Sequence, residues 1–157
     1  TPGAIHLRSD LERKGLHGVG ETERLGVAAY TEEARSKVYA TLRTKAREVL
    51  AAGHAAVVDA VFDRPEERAK IEAVAVELGV GFRGLWLEAP PAKLLDRVGA
   101  RTGDASDATP DVVRRQLGVN TGGLSASWVP VDAGGNAAAT LAKAREPLAR
   151  ILEVQSP

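Results

Sequence analysis

Three aspartates lie at or near the ends of short apolar runs: Asp10, Asp59 and Asp132. In open parallel sheets, ligands bind just beyond the carboxyl ends of the strands. A carboxylate at such a position can take a hydroxyl proton or hold a magnesium ion. The alternative is an ordinary turn or capping residue.

Arginines accompany two of these carboxylates. Arg8 and Arg13 flank Asp10, and Arg64 and Arg68 follow Asp59. Guanidinium groups pair well with phosphate oxygens, so arginines beside carboxylates suit phosphoryl transfer. This combination is the first indication of a function in the sequence.

A second basic pair, Arg97 and Arg101, is spaced by one helical turn, so both side chains are expected on one helix face. Such a pair can neutralise charge on a transferred phosphoryl group, or it can be a solvated surface pair. The three histidines, His6, His17 and His54, have no metal-ligand spacing and are expected to be structural or exposed.

Strands and helices alternate along the chain and would position these residues. Apolar runs predict strands at 4–7, 55–62, 82–89 and 128–132. Helical periodicity and capping signals predict helices at 31–53, 63–78, 90–101, from 109 onward, and 136–153. This alternation predicts an α/β fold with a parallel sheet and helices on both faces. The run 55–62, apolar apart from Asp59, is expected to be covered on both faces.

Local signals predict how some elements begin. Thr31 is expected to cap the first long helix, and Asp63 with Glu66 three residues later resembles a capping box. The glycine- and serine-containing stretches 103–108 and 120–127 are expected to be mobile surface segments.

The composition indicates one globular domain spanning residues 1–157. Lysine plus arginine equals aspartate plus glutamate at 21 each, which argues against a general polyanion binder. The absence of cysteine excludes disulfides and thiolate metal sites. The sequence has no apolar run of membrane-spanning length and no signal-peptide pattern, so no membrane partner and a cytoplasmic location are expected.

Four stretches, in this order, resemble a known family: HLRSDLERK, VVDAVFDRPEER, LWLEAPPAKLLDRVGARTGDASDA and VDAGG. Together they resemble the P-loop kinases of the polynucleotide-kinase and zeta-toxin group. The resemblance is strongest to the "AAA family ATPase" kinases fused behind aminoglycoside-phosphotransferase-like domains. It implies a three-layer α/β/α P-loop NTPase-like parallel sheet that uses ATP and Mg²⁺.

The resemblance also implies roles for the acceptor side of the site. Asp10 matches the acid that activates the acceptor hydroxyl. Arg13 matches an arginine that binds substrate phosphate, and Arg8 beside it is expected to bind substrate too. Asp59 matches the acid beside the phosphate loop and is the expected metal ligand.

On the nucleotide side, Arg97 and Arg101 match the arginines that close over the triphosphate. They are therefore expected to contribute to both catalysis and ATP binding. The lid that would carry them spans approximately residues 97–118.

The family begins with a strand followed by G-x-x-x-x-G-K-[ST], the Walker A loop. This sequence contains no Gly-Lys dipeptide, does not begin with methionine, and matches the family only from its second strand. We therefore expect a sheet that lacks its first, central strand and its phosphate loop. One interpretation is that the chain is the C-terminal part of a larger kinase whose upstream segment or domain supplies both. The other is a naturally shortened, inactive relative.

The predicted function is ATP-dependent phosphoryl transfer to a hydroxyl of a small molecule or nucleotide, inactive in this fragment alone. One alternative is a non-catalytic nucleotide-binding or interaction module, and another is a nucleic-acid 5′-end kinase. The balanced charge and the small number of aromatic residues disfavour a groove for long nucleic acid.

Overall fold

The computed structural model describes residues 3–101 and 103–154, with side chains described up to residue 149. Four strands are present in this part of the chain: β1 Ile5–Arg8, β2 Ala56–Asp59, β3 Gly84–Glu88 and β4 Trp128–Asp132. The α-helices are α1 Ser9–Leu16, α2 Glu32–Ala51, α3 Pro65–Glu77, α4 Pro91–Ala100, α5 Pro110–Leu117 and α6 Ala137–Val154. A 3₁₀ helix, Val27–Tyr30, precedes α2.

The strands form two parallel pairs. β1 pairs with β2, from Ile5 opposite Ala56 to Arg8 opposite Asp59. β3 pairs with β4, and Gly84 lies opposite Trp128 at the start of that ladder. Helices connect the strands, as parallel pairing requires. The predicted α/β fold with parallel strands is confirmed.

A cavity of about 1090 Å³, here called the interstrand cleft, is lined by both β2 and β3. Apolar side chains dominate its walls, and two of them are largely exposed: Val57 at 52% and Leu87 at 60%. In the described ranges no strand covers these edges, so the two pairs remain separate sheets. Within β2 the side chain of Val57 is largely exposed, so the expectation that β2 is covered on both faces is wrong.

One hydrophobic cluster holds both strand pairs together, because it draws residues from β1, α2, α3 and β4. Phe62 is at its centre, with ring centroids 5.4 Å from Tyr39 and 5.5 Å from Trp128 in edge-on geometry. The Phe62 amide also donates to the Tyr39 hydroxyl at 3.1 Å. The buried members are Leu7, Val38, Tyr39, Leu42, Ala46, Phe62, Ile71, Val74 and Trp128.

The helix starts show one correct and one wrong prediction. Thr31 caps α2, since its hydroxyl accepts from the Ala34 amide at 3.2 Å. Asp63 does not cap α3; its carboxylate instead pairs with Arg35 from α2. The tertiary ion pair competes with the local cap, and the residue at the N-cap position is Arg64, whose side chain makes no capping bond.

The strand β2 ends at Asp59, three residues before the predicted end. Phe62 has a φ of 47°, in the left-handed region, so the chain turns sharply before α3. This ending places Asp59 at the last position of the strand. Within the described ranges, no helix has the length and apolar character needed to cross a membrane.

Candidate active site

Arg8 and Asp59 occupy the carboxyl ends of β1 and β2 and lie opposite each other in the ladder. Arg8 Nε is 3.5 Å from Asp59 Oδ2, and His6 Nε2 is 3.7 Å from the same oxygen. The Asp59 side chain is 57% exposed and lines the interstrand cleft. The parallel register therefore presents a carboxylate at the mouth of the cleft.

Asp10 lies in the first turn of α1, two residues beyond the end of β1. Burial raises the pKa of its carboxyl above the ordinary value, because the charged form is poorly solvated there. A hydrogen bond with the Ser106 hydroxyl and the charge of Arg13 oppose that rise, whereas Asp59 adds to it. The two predicted carboxylates thus interact electrostatically, as a shared site requires.

Arg13 is held by the 3₁₀ helix. Its Nη1 donates to the Ala29 carbonyl at 2.7 Å, and its guanidinium lies 5.0 Å from the centre of the Tyr30 ring. Its Nε is buried and has no hydrogen-bond partner among the described residues. Arg13 therefore keeps one unused donor in a fixed guanidinium close to Asp10.

The chain from Gly103 to Ala108, here called the 103–108 segment, contacts this site although it lies far away in the sequence. Arg8 Nη2 donates to Asp104 Oδ1 at 3.0 Å, and Arg101 Nη1 is 3.4 Å from the other carboxylate oxygen of Asp104. The bond from Arg8 is the main reason that the pKa of Asp104 falls below its ordinary value. Because Ala105 is buried and its neighbours are half-buried, the prediction of a surface segment is wrong.

A buried ion pair anchors the same segment. Lys14, only 2% exposed, places Nζ 3.4 Å from Asp107 Oδ1 and donates to the Glu21 carbonyl at 2.7 Å. Asp107 Oδ2 accepts from the Tyr30 hydroxyl at 2.7 Å and from the Leu25 amide at 3.1 Å. Asp107 therefore joins α1, the following loop and the 3₁₀ helix.

Sequence reasoning missed the contacts of this segment. The DASDA stretch offered one signal, an alternation of polar and small residues in a region read as loop. Nothing in the sequence marked Lys14 as buried, because lysine is almost always exposed.

Arg97 and Arg101 do not share a helix face, contrary to the prediction. α4 ends at Ala100, and Arg101 is already extended, with φ −73° and ψ 130°. Arg97 donates to the Gly135 carbonyl, in the loop after β4, whereas Arg101 faces Asp104. The two arginines thus contact different parts of the chain, the loop after β4 and the 103–108 segment.

Three other charged residues from the sequence analysis bind elsewhere. Asp132 pairs with Lys143 of α6 at 2.6 Å. Arg64 pairs with Glu32 of α2. Arg68 has its own set of partners.

Arg68 is 3% exposed and donates to three backbone carbonyls. They belong to Phe62 at 2.7 Å, Thr121 at 2.6 Å and Gly123 at 3.1 Å. Its guanidinium also lies 5.3 Å from the centre of the Trp86 ring. Arg68 therefore fastens the loop before β4 and is not part of the Asp59 site.

The described residues contain no cluster of three or more metal-ligating side chains. Mg²⁺ commonly takes only one or two protein carboxylates and completes its shell with water and substrate phosphates. An exposed carboxylate at the mouth of a cleft suits that role, so Asp59 fits a magnesium ligand. The Asp59 carboxylate would then contact both Arg8 and the magnesium ion.

The sequence matches the AAA domain family over residues 1–121, more than half of the chain. The chain belongs to this family of P-loop kinase-like domains. No curated protein matches the sequence. Family membership supports phosphoryl transfer of the kinase type as the general class of chemistry.

Two solved structures resemble the fold of this AAA domain. A gluconokinase from Sinorhizobium meliloti is 22% identical, with a TM-score of 0.65, and the match covers 98% of this chain and 83% of that one. The tunicamycin resistance protein of Deinococcus radiodurans is 15% identical, with a TM-score of 0.55, covering 96% of this chain and 83% of that one. At these identities the likeness concerns the fold.

Proposed function

We propose that this AAA domain carries the acceptor site of an ATP-dependent kinase that phosphorylates a hydroxyl group. The observation that carries the proposal is the grouping of Asp10, Arg8 and Arg13 beside Asp59 at one end of the β1–β2 pair. These residues supply a base, positive charge and a metal ligand within one small region. The acceptor is a small molecule or a nucleotide.

Asp10 acts as the general base in the proposed reaction. The acceptor oxygen forms a bond to the γ-phosphorus of ATP while its proton passes to the Asp10 carboxylate. The bond between that phosphorus and the bridging oxygen breaks, and ADP leaves with the electron pair. A raised pKa suits this role, because a base works best when its pKa approaches the working pH.

The other residues would neutralise negative charge on the phosphate groups or bind the acceptor. Asp59 would hold Mg²⁺, which neutralises phosphate oxygens when bound. Arg13, whose charge acts on Asp10, would bind the acceptor. Arg101 and Arg97, on the lid of residues 97–118, would move towards the transferred phosphoryl group, and Arg101 would leave Asp104 to do so.

We further propose that a parallel strand, followed by a Walker A loop, lies in the interstrand cleft. Three facts support this proposal: the open edges of β2 and β3, the apolar walls, and the lack of any Gly-Lys dipeptide in the chain. The gluconokinase also has residues without a counterpart here, since the match covers 83% of it. An upstream segment of the same polypeptide is the proposed source.

The test compares two proteins. One is this chain alone, and the other carries a strand and a G-x-x-x-x-G-K-S loop fused ahead of Thr1; a loop Lys→Ala version is the control. We expect ATP turnover with a panel of hydroxyl acceptors only from the fused protein with the intact loop. Turnover by the chain alone would refute the need for the strand.

A fused protein that folds and binds ATP in calorimetry, yet transfers phosphate to no acceptor, would refute the kinase proposal. It would favour the nucleotide-binding module instead. The panel therefore includes sugars, nucleosides and a 5′-hydroxyl oligonucleotide, so that the acceptor class is read from the same assay.

A further inference from the structure

Asp104 links Arg8 and Arg101 through its two carboxylate oxygens. Oδ1 accepts from Arg8 Nη2 at 3.0 Å and from the Ala105 amide at 2.7 Å. Oδ2 faces Arg101 Nη1 at 3.4 Å, which is longer than the roughly 2.7 to 2.9 Å of a charge-assisted hydrogen bond. Asp104 therefore holds Arg8 by a directed hydrogen bond and Arg101 mainly by charge.

The two sides of the Asp104–Arg101 contact differ in how firmly they are held. Asp104 belongs to the 103–108 segment, which Asp107 ties to the buried Lys14. Arg101 follows the last residue of α4 in an extended conformation, and its side chain is 40% exposed. The carboxylate is therefore fixed in place, whereas the arginine can leave it without breaking a buried contact.

Four charges of alternating sign follow one another in this part of the molecule: Asp59, Arg8, Asp104 and Arg101. Asp104 keeps Arg8 as a partner when Arg101 leaves. An exposed ion pair contributes little to stability, because water solvates both charges when the pair separates. A polyphosphate carries several negative charges and suits the guanidinium fork, so it can displace one carboxylate from Arg101.

We propose that Asp104 is a latch for Arg101: without nucleotide, its carboxylate occupies the place on the guanidinium that phosphate oxygens take when ATP binds. This inference rests on the proposed function, in which Arg101 moves towards the transferred phosphoryl group. It makes Asp104 an internal competitor of phosphate and a positioning residue, because Asp104 acts through Arg101. The latch therefore lowers the affinity of Arg101 for phosphate oxygens by the strength of one ion pair.

The first experiment uses this chain without nucleotide, and inorganic tripolyphosphate is the probe. The side-chain ¹⁵N signal of Arg101, assigned with Arg101→Lys, reports binding in an NMR titration. Asp104→Asn should tighten tripolyphosphate binding at Arg101 about 2- to 5-fold, which corresponds to the loss of one exposed ion pair. Asp104→Ala should give the same gain, so the test does not depend on the folding of a single variant.

A double-mutant cycle separates Arg101 from Arg8, because Asp104 contacts both. In the Arg101→Ala background, backbone amide signals report tripolyphosphate binding, and adding Asp104→Asn should give no gain. The same gain with and without Arg101 would show that Arg8 is the cation released, and it would overturn the latch.

Asp111→Asn is the matched control, since Asp111 pairs with Arg114 at 2.6 Å and with the same three-residue spacing. It removes one negative charge from the same predicted lid and should leave tripolyphosphate binding at Arg101 unchanged. An equal gain in Asp104→Asn and Asp111→Asn would attribute the effect to net charge and contradict the proposal. So would an Arg101 signal that does not respond to tripolyphosphate in Asp104→Asn.

The second experiment measures ATP binding by calorimetry in the fused protein that carries the added strand and Walker A loop. Asp104→Asn should lower the Kd for ATP about 2- to 5-fold, and this gain should disappear in the Arg101→Ala background. If the affinity rises in this way but the fused protein transfers no phosphate, the kinase proposal fails while the latch stands. If transfer occurs and Asp104→Asn leaves the ATP affinity unchanged, the latch fails alone.

Discussion

Arg8 and Asp59 are partners at the last rung of a parallel ladder, and their side chains form a 3.5 Å ion pair. The same guanidinium binds Asp104 at 3.0 Å. Arg8 therefore connects the end of β2 to the 103–108 segment. Because Arg8 already binds both carboxylates, it is better suited to hold Asp59 and Asp104 in place than to bind an acceptor.

In the fused protein that carries the added strand and Walker A loop, replacing Asp10 by alanine should abolish phosphoryl transfer. Its affinity for ATP should stay nearly unchanged. The loss should be about 10²- to 10⁴-fold, the usual contribution of a general base. In the parent, activity should fall with decreasing pH at a midpoint above the ordinary aspartate value, because burial raises the pKa of Asp10. Steady-state kinetics and calorimetry test both points, and full activity in Asp10→Ala would contradict the assigned role.

The ion pair of Asp104 with Arg8 should stabilise the fold in a pH-dependent way. The pKa of Asp104 is lowered in the folded protein, so the stabilisation is present above the unfolded pKa and is lost as pH falls through the lowered folded value. Asp104→Asn should cost about 0.5 to 1 kcal/mol at pH 7 and almost nothing near pH 2. Urea denaturation at both pH values measures the difference.

Asp111→Asn is the control for this measurement, because Asp111 pairs with Arg114 on the exposed face of α5. It should leave stability unchanged at both pH values. An Asp104→Asn cost that is the same at pH 7 and pH 2 would show that the charge of Asp104 is not the cause.

Lys14→Met should destabilise the fold strongly, because it leaves the carboxylate of Asp107 without its cationic partner in a buried ion pair. The expected loss of unfolding free energy is about 3 kcal/mol. Lys45→Met, which removes a partly exposed pair with Glu12, should cost less than about 1 kcal/mol. Equal losses in the two variants, measured by urea denaturation, would refute the buried role of Lys14.

Gly84→Ala should disturb the β3–β4 pair. An added Cβ would lie 2.2 Å from Cδ2 of Trp128, its ladder partner, so the indole would have to move within a packed core. A loss of about 1 to 3 kcal/mol is expected, with a change in the near-ultraviolet signal of tryptophan. Gly99→Ala in α4 has open space and should stabilise by about 0.5 to 1 kcal/mol, so a loss there would contradict the packing explanation.

The order of the elements could be predicted because its signals are local. Apolar runs and helical patterns lie within a few residues, and the strand Trp128–Asp132 and the cap at Thr31 occur where they were predicted. The capping box at Asp63 failed because its competitor, Arg35, lies 28 residues away in the sequence. A local motif is reliable only when no tertiary partner competes for the same side chain.

The sequence by itself determined the parallel α/β fold, the family and the presence of Asp10, Asp59 and their arginines. Only the tertiary structure decided which of these residues meet, since Arg8 and Asp104 are 96 residues apart in the chain. It also decided that Arg68 and Lys14 are buried and that Arg97 and Arg101 diverge. Ion pairs and burial depend on neighbours brought together by folding, and periodicity along one segment carries no information about them.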